Sequence, residues 1–171
     1  PDEAVALGAA LYAAMKSDGA NLTATQKKAI SKISVQETCH KYLGTLVLND
    51  SMGESKLVNT PIINKGQKRP CSVTKEFFTV GDGQTQLSCR LTESENEETD
   101  PRWVTIVWEG SLELPPNRPA GQKIEITYSY DENQIIHCVY KDVESGAVTE
   151  ATISGVEGGT TKSAIDKVLV D

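Results

Sequence analysis

The pattern of apolar and polar positions divides the chain into a helical beginning and a longer β-prone remainder. Residues 3–15 are apolar nearly all round and rich in alanine, which has the highest helix propensity. Asp2 and Glu3 stand where carboxylates interact favourably with a helix dipole. The pattern predicts a helix over residues 3–15, and a helix without a polar face is expected to be buried in a larger body. We expect residues 1–16 to be the edge of a domain that lies outside this sequence.

A polar stretch without a firm period comes next and is interpreted as a linker over residues 17–32, with a helical turn at 24–30. From Ile33 onward, short β-prone runs alternate with turn residues. Many short strands at close spacing are typical of an antiparallel sandwich. The predicted strands cover residues 33–38, 42–48, 71–80, 85–92, 103–114, 123–130, 134–141 and 147–153. The fold class is therefore mainly β, an antiparallel β-sandwich with an N-terminal helix and a short C-terminal helix over residues 161–170.

The strongest turn signal is Asp82-Gly83, which lies between two β-prone runs. Glycine accepts a positive φ without steric cost, so Asp-Gly in this setting predicts a hairpin. That hairpin would carry several apolar side chains close to an exposed turn. Further turns are predicted at residues 131–134 and 141–147, a proline-rich loop at 115–119, and a solvated acidic loop at 93–100.

Composition and charge exclude several classes of function. The chain has 171 residues and a net charge of -7, which disfavours binding to nucleic acid because phosphates require clustered Lys and Arg. No apolar run reaches the length of a membrane span, and the first residues are acidic where a secretory signal is basic. The four cysteines form no C-x-x-C pair, so we expect free thiols, no metal site and a cytoplasmic location. Cys39 and His40 are adjacent, and adjacent strand residues point to opposite faces, which disfavours a catalytic pair.

Three segments of the sequence resemble one known family. Residues 1–10 read Pro-Asp-Glu-Ala-Val-Ala-Leu-Gly-Ala-Ala, residues 77–84 read Phe-Phe-Thr-Val-Gly-Asp-Gly-Gln, and residues 124–153 contain Asp-Glu-Asn-Gln-Ile followed by Lys-Asp. In this order they resemble the seventy-kilodalton heat-shock chaperones of the DnaK type. The first segment is similar to the end of that family's nucleotide-binding domain, and the other two are similar to its substrate-binding sandwich. Residues 112–116 occupy the place of the family's proline-rich loop.

The resemblance implies a domain organisation and a function. Residues 1–16 would be the last helix of a nucleotide-binding domain, 17–32 a linker, 33–154 a peptide-binding sandwich and 155–171 the start of a truncated or absent helical lid. The module would bind extended hydrophobic segments of unfolded proteins within an ATP-dependent chaperone. It would be no enzyme and hold no cofactor itself, because ATP and Mg would bind elsewhere in the parent protein. The parent's implied partners are a J-domain co-chaperone and a nucleotide exchange factor.

The resemblance also implies a set of peptide-binding residues. An apolar pocket would be lined by Thr45, Phe77, Leu87 and Cys89. An arch over the peptide would be formed by Leu48 and Val80. Hydrogen bonds to the peptide would come from the main chain of Phe78 and Val80, from Val47 and from the Gln84 side chain. Main-chain pairing of this kind accepts any sequence, while a pocket selects one apolar side chain.

Departures from the family pattern leave other interpretations open. Thr45 and Cys89 stand where the family usually has larger aliphatic residues, the chain between Met52 and Pro70 is longer, and residues 33–37 lack the leucines of the family's interdomain linker. Thr45, Cys89 and the altered linker favour a diverged regulatory or scaffold sandwich that no longer clamps unfolded chains. A stand-alone adhesin-like sandwich is disfavoured by the first fourteen residues. The apolar helix also predicts self-association through residues 1–16.

Overall fold

The chain is described here by a computed structural model that covers residues 2–17, 22–31, 36–49 and 55–154, and these residues form two units that divide after Gln36. The first unit contains helix α1 (Asp2–Lys16) and helix α2 (Ala24–Ile30). Both helical segments agree with the sequence expectation. Helix α2 begins at a capping box, in which Thr23 Oγ1 accepts from Gln26 N at 3.3 Å and Gln26 Oε1 accepts from Thr23 N at 2.8 Å.

The second unit is a β-sandwich of two antiparallel four-stranded sheets, which confirms the predicted fold class. The strands are β1 (Tyr42–Asn49), β2 (Lys56–Ile63), β3 (Cys71–Phe78), β4 (Gln86–Ser94), β5 (Thr105–Glu113), β6 (Lys123–Tyr130), β7 (Ile135–Asp142) and β8 (Val148–Ser154). The first sheet has the order β2-β1-β4-β5 and the second sheet the order β3-β6-β7-β8. The turns predicted at residues 131–134 and 141–147 join β6 to β7 and β7 to β8 as antiparallel neighbours.

The core of the sandwich is built by alternating residues of facing strands. Along β6, Ile124, Ile126 and Tyr128 are buried while the residues between them are more exposed, and β7 repeats the pattern with Cys138 and Tyr140. This alternation follows from the pleat of a strand, which directs successive side chains to opposite faces. Both strands agree with the prediction from short β-prone runs bounded by turn residues.

The predicted strands differ from the structure in two places. Strand β2 was missed, because Asn59, Thr60 and Pro61 interrupt its apolar residues and proline is unfavourable inside a sheet. The structure accommodates Pro61 in β2 because that strand lies at the edge of the first sheet. Conversely, a strand was predicted over residues 33–38. Residues 32–35 lie outside the described residues, and the part that is described contributes only an isolated bridge between Thr38 and Lys68.

The hairpin predicted at Asp82-Gly83 is also wrong, although the turn itself is present. Gly83 has a φ of +67°, as a tight turn requires. However, β3 pairs with β6 and β4 pairs with β5, so the turn carries the chain from one sheet to the other. The turn packs against the proline-rich loop instead: Ala120 N donates to Asp82 Oδ1 at 2.8 Å and Gly83 N donates to Arg118 O at 2.7 Å. The local sequence therefore predicted the turn correctly, but the two strands that flank it pair with β6 and β5 and not with each other.

Residues 115–119 form a loop, as predicted. The predicted C-terminal helix over residues 161–170, with the rest of the implied lid, lies outside the described residues. Across the part of the chain that the structure covers, no helix is both long and apolar enough to cross a membrane.

Candidate functional site

The candidate site lies where strand β1 separates from strand β4. Only Tyr42, Leu43 and Gly44 of β1 pair with β4, opposite residues 92–94. Beyond Gly44, β1 continues to pair with β2 as far as Asn49, and β4 continues to pair with β5. The described ladders therefore leave the facing edges of residues 45–49 and 86–91 without strand partners. Such an edge offers backbone donors and acceptors to an extended chain.

Two irregularities in the first sheet accompany this separation. The β1–β2 register shifts between Leu43 and Gly44, and the β4–β5 register shifts between Leu91 and Thr92. Bulges of this kind bend a strand and increase its local twist. A Cβ atom added at Gly44 would lie 2.8 Å from the Thr60 carbonyl oxygen. Only glycine therefore fits at the position where β1 leaves its neighbour.

Two tyrosines from the second sheet occupy the core beneath the separation, and we refer to Tyr128 and Tyr140 as the tyrosine pair. Their hydroxyl oxygens lie 2.6 Å apart. The Tyr128 hydroxyl lies 3.0 Å from Gly44 O and 3.2 Å from Arg90 O, and the Tyr140 hydroxyl donates to Arg90 O at 2.9 Å. The pair thus donates hydrogen bonds to backbone carbonyl groups of both β1 and β4. Burial raises the pKa of both tyrosines well above the usual value, so both stay neutral and able to donate.

Of the residues predicted to line the pocket, two lie in the interior and two lie nearer the surface. Thr45 is 1% exposed and Cys89 is 0% exposed. Thr45 Oγ1 lies 3.4 Å from the Tyr140 hydroxyl, so it extends the polar group formed by the tyrosine pair. Phe77 and Leu87 are half-buried and pack against the same hydrophobic core that contains Cys89. Burial raises the pKa of Cys89 to about 12, which keeps its thiol neutral.

The residues predicted to form the arch are exposed apolar side chains. Leu48 is 47% exposed near the end of β1, and Val80 is 45% exposed in the segment between β3 and β4. Phe78, predicted to offer main-chain groups, is 59% exposed. Val47 is half-buried on β1. Their roles in contacting a peptide stay predictions.

Gln84, predicted to hydrogen-bond the peptide, is already engaged through one end of its amide. Its Nε2 donates to Gln86 O at 3.0 Å. Its Oε1 is buried and has no hydrogen-bond partner among the described residues. A buried amide oxygen without a donor is costly, and an incoming backbone N–H would supply one.

An ion pair that the sequence did not predict anchors the proline-rich loop beside this segment. The Arg118 guanidinium contacts the Asp142 carboxylate through both of its terminal nitrogens, and Asp142 is fully buried. Burial raises the pKa of Asp142, but hydrogen bonds from Arg118, Ser145 and the Glu144 backbone outweigh it and hold that pKa below its usual value. Each residue lies in a segment that the sequence singled out. Their pairing across 24 positions left no local signal.

A polar cavity at the other end of β4 is separate from this site. It has a volume of about 400 Å³ and is lined by Lys41, Glu93, Ser94, Glu95, Asn96, Glu98, Trp103 and Thr105. Part of the predicted acidic loop borders it, and Lys41 forms an ion pair with Glu93 at 2.8 Å. Its lining differs from that of an apolar peptide pocket.

Comparisons with known proteins agree with the resemblance seen in the sequence. The family model described as Hsp70 protein matches residues 1–171. The chain is 31% identical over 171 residues to "Heat shock 70-related protein 1, mitochondrial" of Leishmania major, covering 100% of this chain and 24% of that protein. It is 31% identical over 158 residues to "Chaperone protein DnaK" of Thermotoga petrophila, covering 91% of this chain and 24% of that protein.

A fungal relative shows the same partial coverage. "Heat shock 70 kDa protein" of Penicillium citrinum is 27% identical over 174 residues, covering 100% of this chain and 31% of that protein. The chain therefore spans between 24% and 31% of the length of these curated relatives. With its whole length matched by the family model, the chain belongs to the Hsp70 family.

Proposed function

We propose that the β-sandwich binds extended apolar segments of unfolded polypeptides, as the peptide-binding module of an ATP-dependent chaperone. The observation that carries this proposal is the early end of the β1–β4 ladder after Gly44. The strand edges beyond it are available to a peptide backbone, and Leu48 and Val80 provide exposed apolar surface near the end of β1 and in the segment between β3 and β4. Membership of the Hsp70 family supports the same function.

The energetics of such a site favour weak, reversible binding. Burial of one leucine side chain contributes about 1.5–3 kcal/mol, and each backbone hydrogen bond contributes about 1 kcal/mol. Association and ordering of the peptide offset much of this gain, so a dissociation constant on the order of micromolar is expected. Leu87 and Phe77, which are half-buried, are the side chains that an incoming apolar group would cover first.

A peptide-binding measurement with a matched pair of variants tests the proposal. Fluorescence anisotropy with labelled peptides centred on leucine gives the dissociation constant for this chain. Leu48→Asp places a charge in the proposed arch and should weaken binding about tenfold or more, since that is the effect of about 1.4 kcal/mol. Ile106→Asp on β5 is the control, because Ile106 has the same exposed fraction of 47% as Leu48 and belongs to the same sheet. Equal effects of the two variants would contradict the proposed site.

A diverged scaffold role is the second candidate, and one observation favours it. Thr45 and Cys89 are closed to solvent and contact the polar tyrosine pair or the core, so the pocket offers less open apolar surface than the resemblance implies. Under this alternative, a library of unrelated peptides would show no binding at all. Binding of leucine-rich members would eliminate it.

Functions of the longer parent protein are part of the same proposal. ATP and Mg would bind outside this chain and switch the peptide-binding site between a state of high affinity and a state of low affinity. A J-domain co-chaperone and a nucleotide exchange factor would be the partners of the parent protein. The cytoplasmic location stays a prediction, and the name of the Leishmania major relative assigns that protein to mitochondria. Fluorescence microscopy of the tagged parent protein would decide between the two compartments.

A further inference from the structure

Two cysteines lie next to each other where the chain enters the sandwich. The sulfur atoms of Cys39 and Cys71 are 3.9 Å apart, although the residues are 32 positions apart in sequence. Both are free thiols. A disulfide has sulfur atoms about 2.05 Å apart, so closing this gap takes about 2 Å of side-chain movement. Cys39 is buried, whereas Cys71 is partly exposed at the start of β3.

The backbone around the two thiols is already held together. Cys39 N donates to Gln67 O and Gly66 N donates to Cys39 O, each at 2.8 Å. Arg69 donates two hydrogen bonds to Glu37: its backbone N donates to Glu37 O at 2.8 Å, and its guanidinium donates to the Glu37 carboxylate at 2.6 Å. These hydrogen bonds hold the segment of Cys39 against residues 66–69, which lie just before Cys71, and so keep the two sulfur atoms close together.

The electrostatic surroundings separate the roles of the two thiols. Burial and the neighbouring Cys71 raise the pKa of Cys39 to about 12, while the Arg69 guanidinium partly opposes this shift. Because the thiolate is the reactive form, buried Cys39 is a poor first target for an oxidant in solution. Cys71 is partly exposed and meets the oxidant first. Cys39 then lies in place to react with the oxidised Cys71.

The other two cysteines have different surroundings. Cys89 and Cys138 are fully buried in the core, and burial raises the pKa of both. Structural thiols of this kind are inert while the protein is folded. They provide an internal reference for the reactivity of the first pair.

We propose that Cys39 and Cys71 are a site of reversible oxidation, at which hydrogen peroxide converts the two thiols to an intramolecular disulfide. The Cys71 thiolate attacks one oxygen of the peroxide, forming a sulfenic acid and releasing hydroxide, which takes a proton to become water. The Cys39 sulfur then attacks the Cys71 sulfur, forming the S–S bond, and its proton leaves with the displaced hydroxide as a second water. Two thiols lose two electrons in total, and one peroxide becomes two waters.

The disulfide would tie the segment that leads into β1 to the first residue of β3. Strands β1 and β3 belong to different sheets, and in the reduced protein the segment before β1 is connected to the start of β3 through noncovalent contacts and the intervening chain. Residues 33–37 stand where the resemblance places the family's interdomain linker. Oxidation would therefore fix the point at which the chain enters the sandwich, and reduction by a thiol would release it.

Peptide mapping of the whole chain tests this proposal directly. The reduced protein is treated with hydrogen peroxide, free thiols are blocked with N-ethylmaleimide, and the denatured chain is digested with trypsin. Each cysteine falls in its own tryptic peptide: residues 33–41, 69–75, 76–90 and 124–141. We expect peptide 33–41 linked to peptide 69–75 in monomeric protein, at a mass two hydrogens below the sum of the two thiol peptides. Dithiothreitol should abolish the linked species.

Cys71→Ser is the variant that tests the assignment, because it should abolish the linked species and leave peptide 33–41 with a free thiol. Circular dichroism of the variant checks that it is folded, and the unmodified protein carries the main test even if the variant is not. The proposal is overturned if both peptides keep free thiols, if the link joins two copies of the chain, or if peptide 76–90 or 124–141 is oxidised as readily.

Discussion

Removing the hydroxyl groups of the tyrosine pair should destabilise the sandwich in a non-additive way. Tyr128→Phe and Tyr140→Phe each delete one hydroxyl and keep the aromatic ring. The pair has two hydroxyl hydrogens for two carbonyl acceptors and for the 2.6 Å contact between the hydroxyls themselves. Because Tyr128 reaches both Gly44 O and Arg90 O, it can still serve one carbonyl when the Tyr140 hydroxyl is absent.

The magnitude follows from counting the donors that remain. In Tyr140→Phe the Tyr128 hydroxyl still lies within reach of both carbonyls, so this variant should lower the free energy of unfolding by about 1 kcal/mol. In Tyr128→Phe the remaining hydroxyl donates to Arg90 O and Gly44 O loses its hydroxyl donor, so this variant should cost about 2 kcal/mol. The double variant leaves both buried carbonyls without a hydroxyl donor, and each such group costs about 1–3 kcal/mol. We therefore expect a loss of about 4 kcal/mol for the double variant. The excess over the two single losses, about 1 kcal/mol, is the coupling energy of the pair.

Urea unfolding of the four proteins measures this coupling. Circular dichroism gives the free energy of unfolding for the unmodified chain, the two single variants and the double variant, provided that the slope against urea stays constant. Trp108 offers a second probe, because its ring centroid lies 6.0 Å from that of Tyr140. Tyr42→Phe is the control, since it removes a phenol hydroxyl on β1 outside the tyrosine pair.

The result that would refute this reasoning is additivity. If the double loss equals the sum of the single losses within about 0.5 kcal/mol, the two hydroxyls act independently and the fallback donor has no effect. Single variants as stable as the unmodified chain would show that the carbonyls of the diverging strands need no hydroxyl partner.

Three further predictions concern other parts of the chain. Gly44→Ala should lower the melting temperature, because the new Cβ would overlap a carbonyl 2.8 Å away, whereas Gly81→Ala, with nothing within 4 Å, should be close to neutral in a thermal melt. The pKa of Asp142 is lower in the folded protein than in the unfolded chain, where it is about 3.8, so the ionised carboxylate contributes to the free energy of unfolding above that pH. This contribution is lost as the pH falls through the folded pKa. An acid titration should therefore show a steeper loss of stability for the unmodified chain than for Asp142→Asn. Self-association through residues 1–16 should appear in light scattering as a larger mass than that of a chain lacking them, and equal monomeric masses would contradict it.

The second sheet was the part of the fold most accessible from the sequence. Strands β6 and β7 alternate buried and half-buried residues with a period of two, and polar turns mark their ends. Strand β2 was not predicted because Asn59, Thr60 and Pro61 interrupt its apolar residues. In the structure it is an edge strand that pairs with β1. The Asp82-Gly83 turn was recognised correctly, but its strands pair elsewhere because sheet pairing is decided across the whole chain.

The resemblance named residues for a peptide site, but it gave none of the interactions that the structure shows among them. The resemblance supplied Leu48, Val80 and Leu87 through their spacing from recognisable motifs. Contacts between distant residues gave no such signal, since Tyr128 reaches Gly44 across 84 positions and Cys39 reaches Cys71 across 32. Tyrosine and cysteine side chains are common in β-sandwiches. Only the folded structure shows which of them contact each other.

The tyrosine pair and Thr45 place polar atoms in the core at the point where β1 separates from β4, which is also the candidate site. When β1 leaves β4 after Gly44, carbonyl groups at the point of divergence need donors from another source, because buried carbonyls without partners are costly. The tyrosine pair supplies them from the opposite sheet. Thr45 and Cys89 are smaller than the aliphatic residues that the resemblance implies at these positions, and Thr45 adds its hydroxyl to the same group. The stability of the sandwich and the selectivity of the proposed pocket are therefore linked through Thr45, and a Thr45→Ile variant should gain affinity for leucine peptides at the cost of a lower melting temperature.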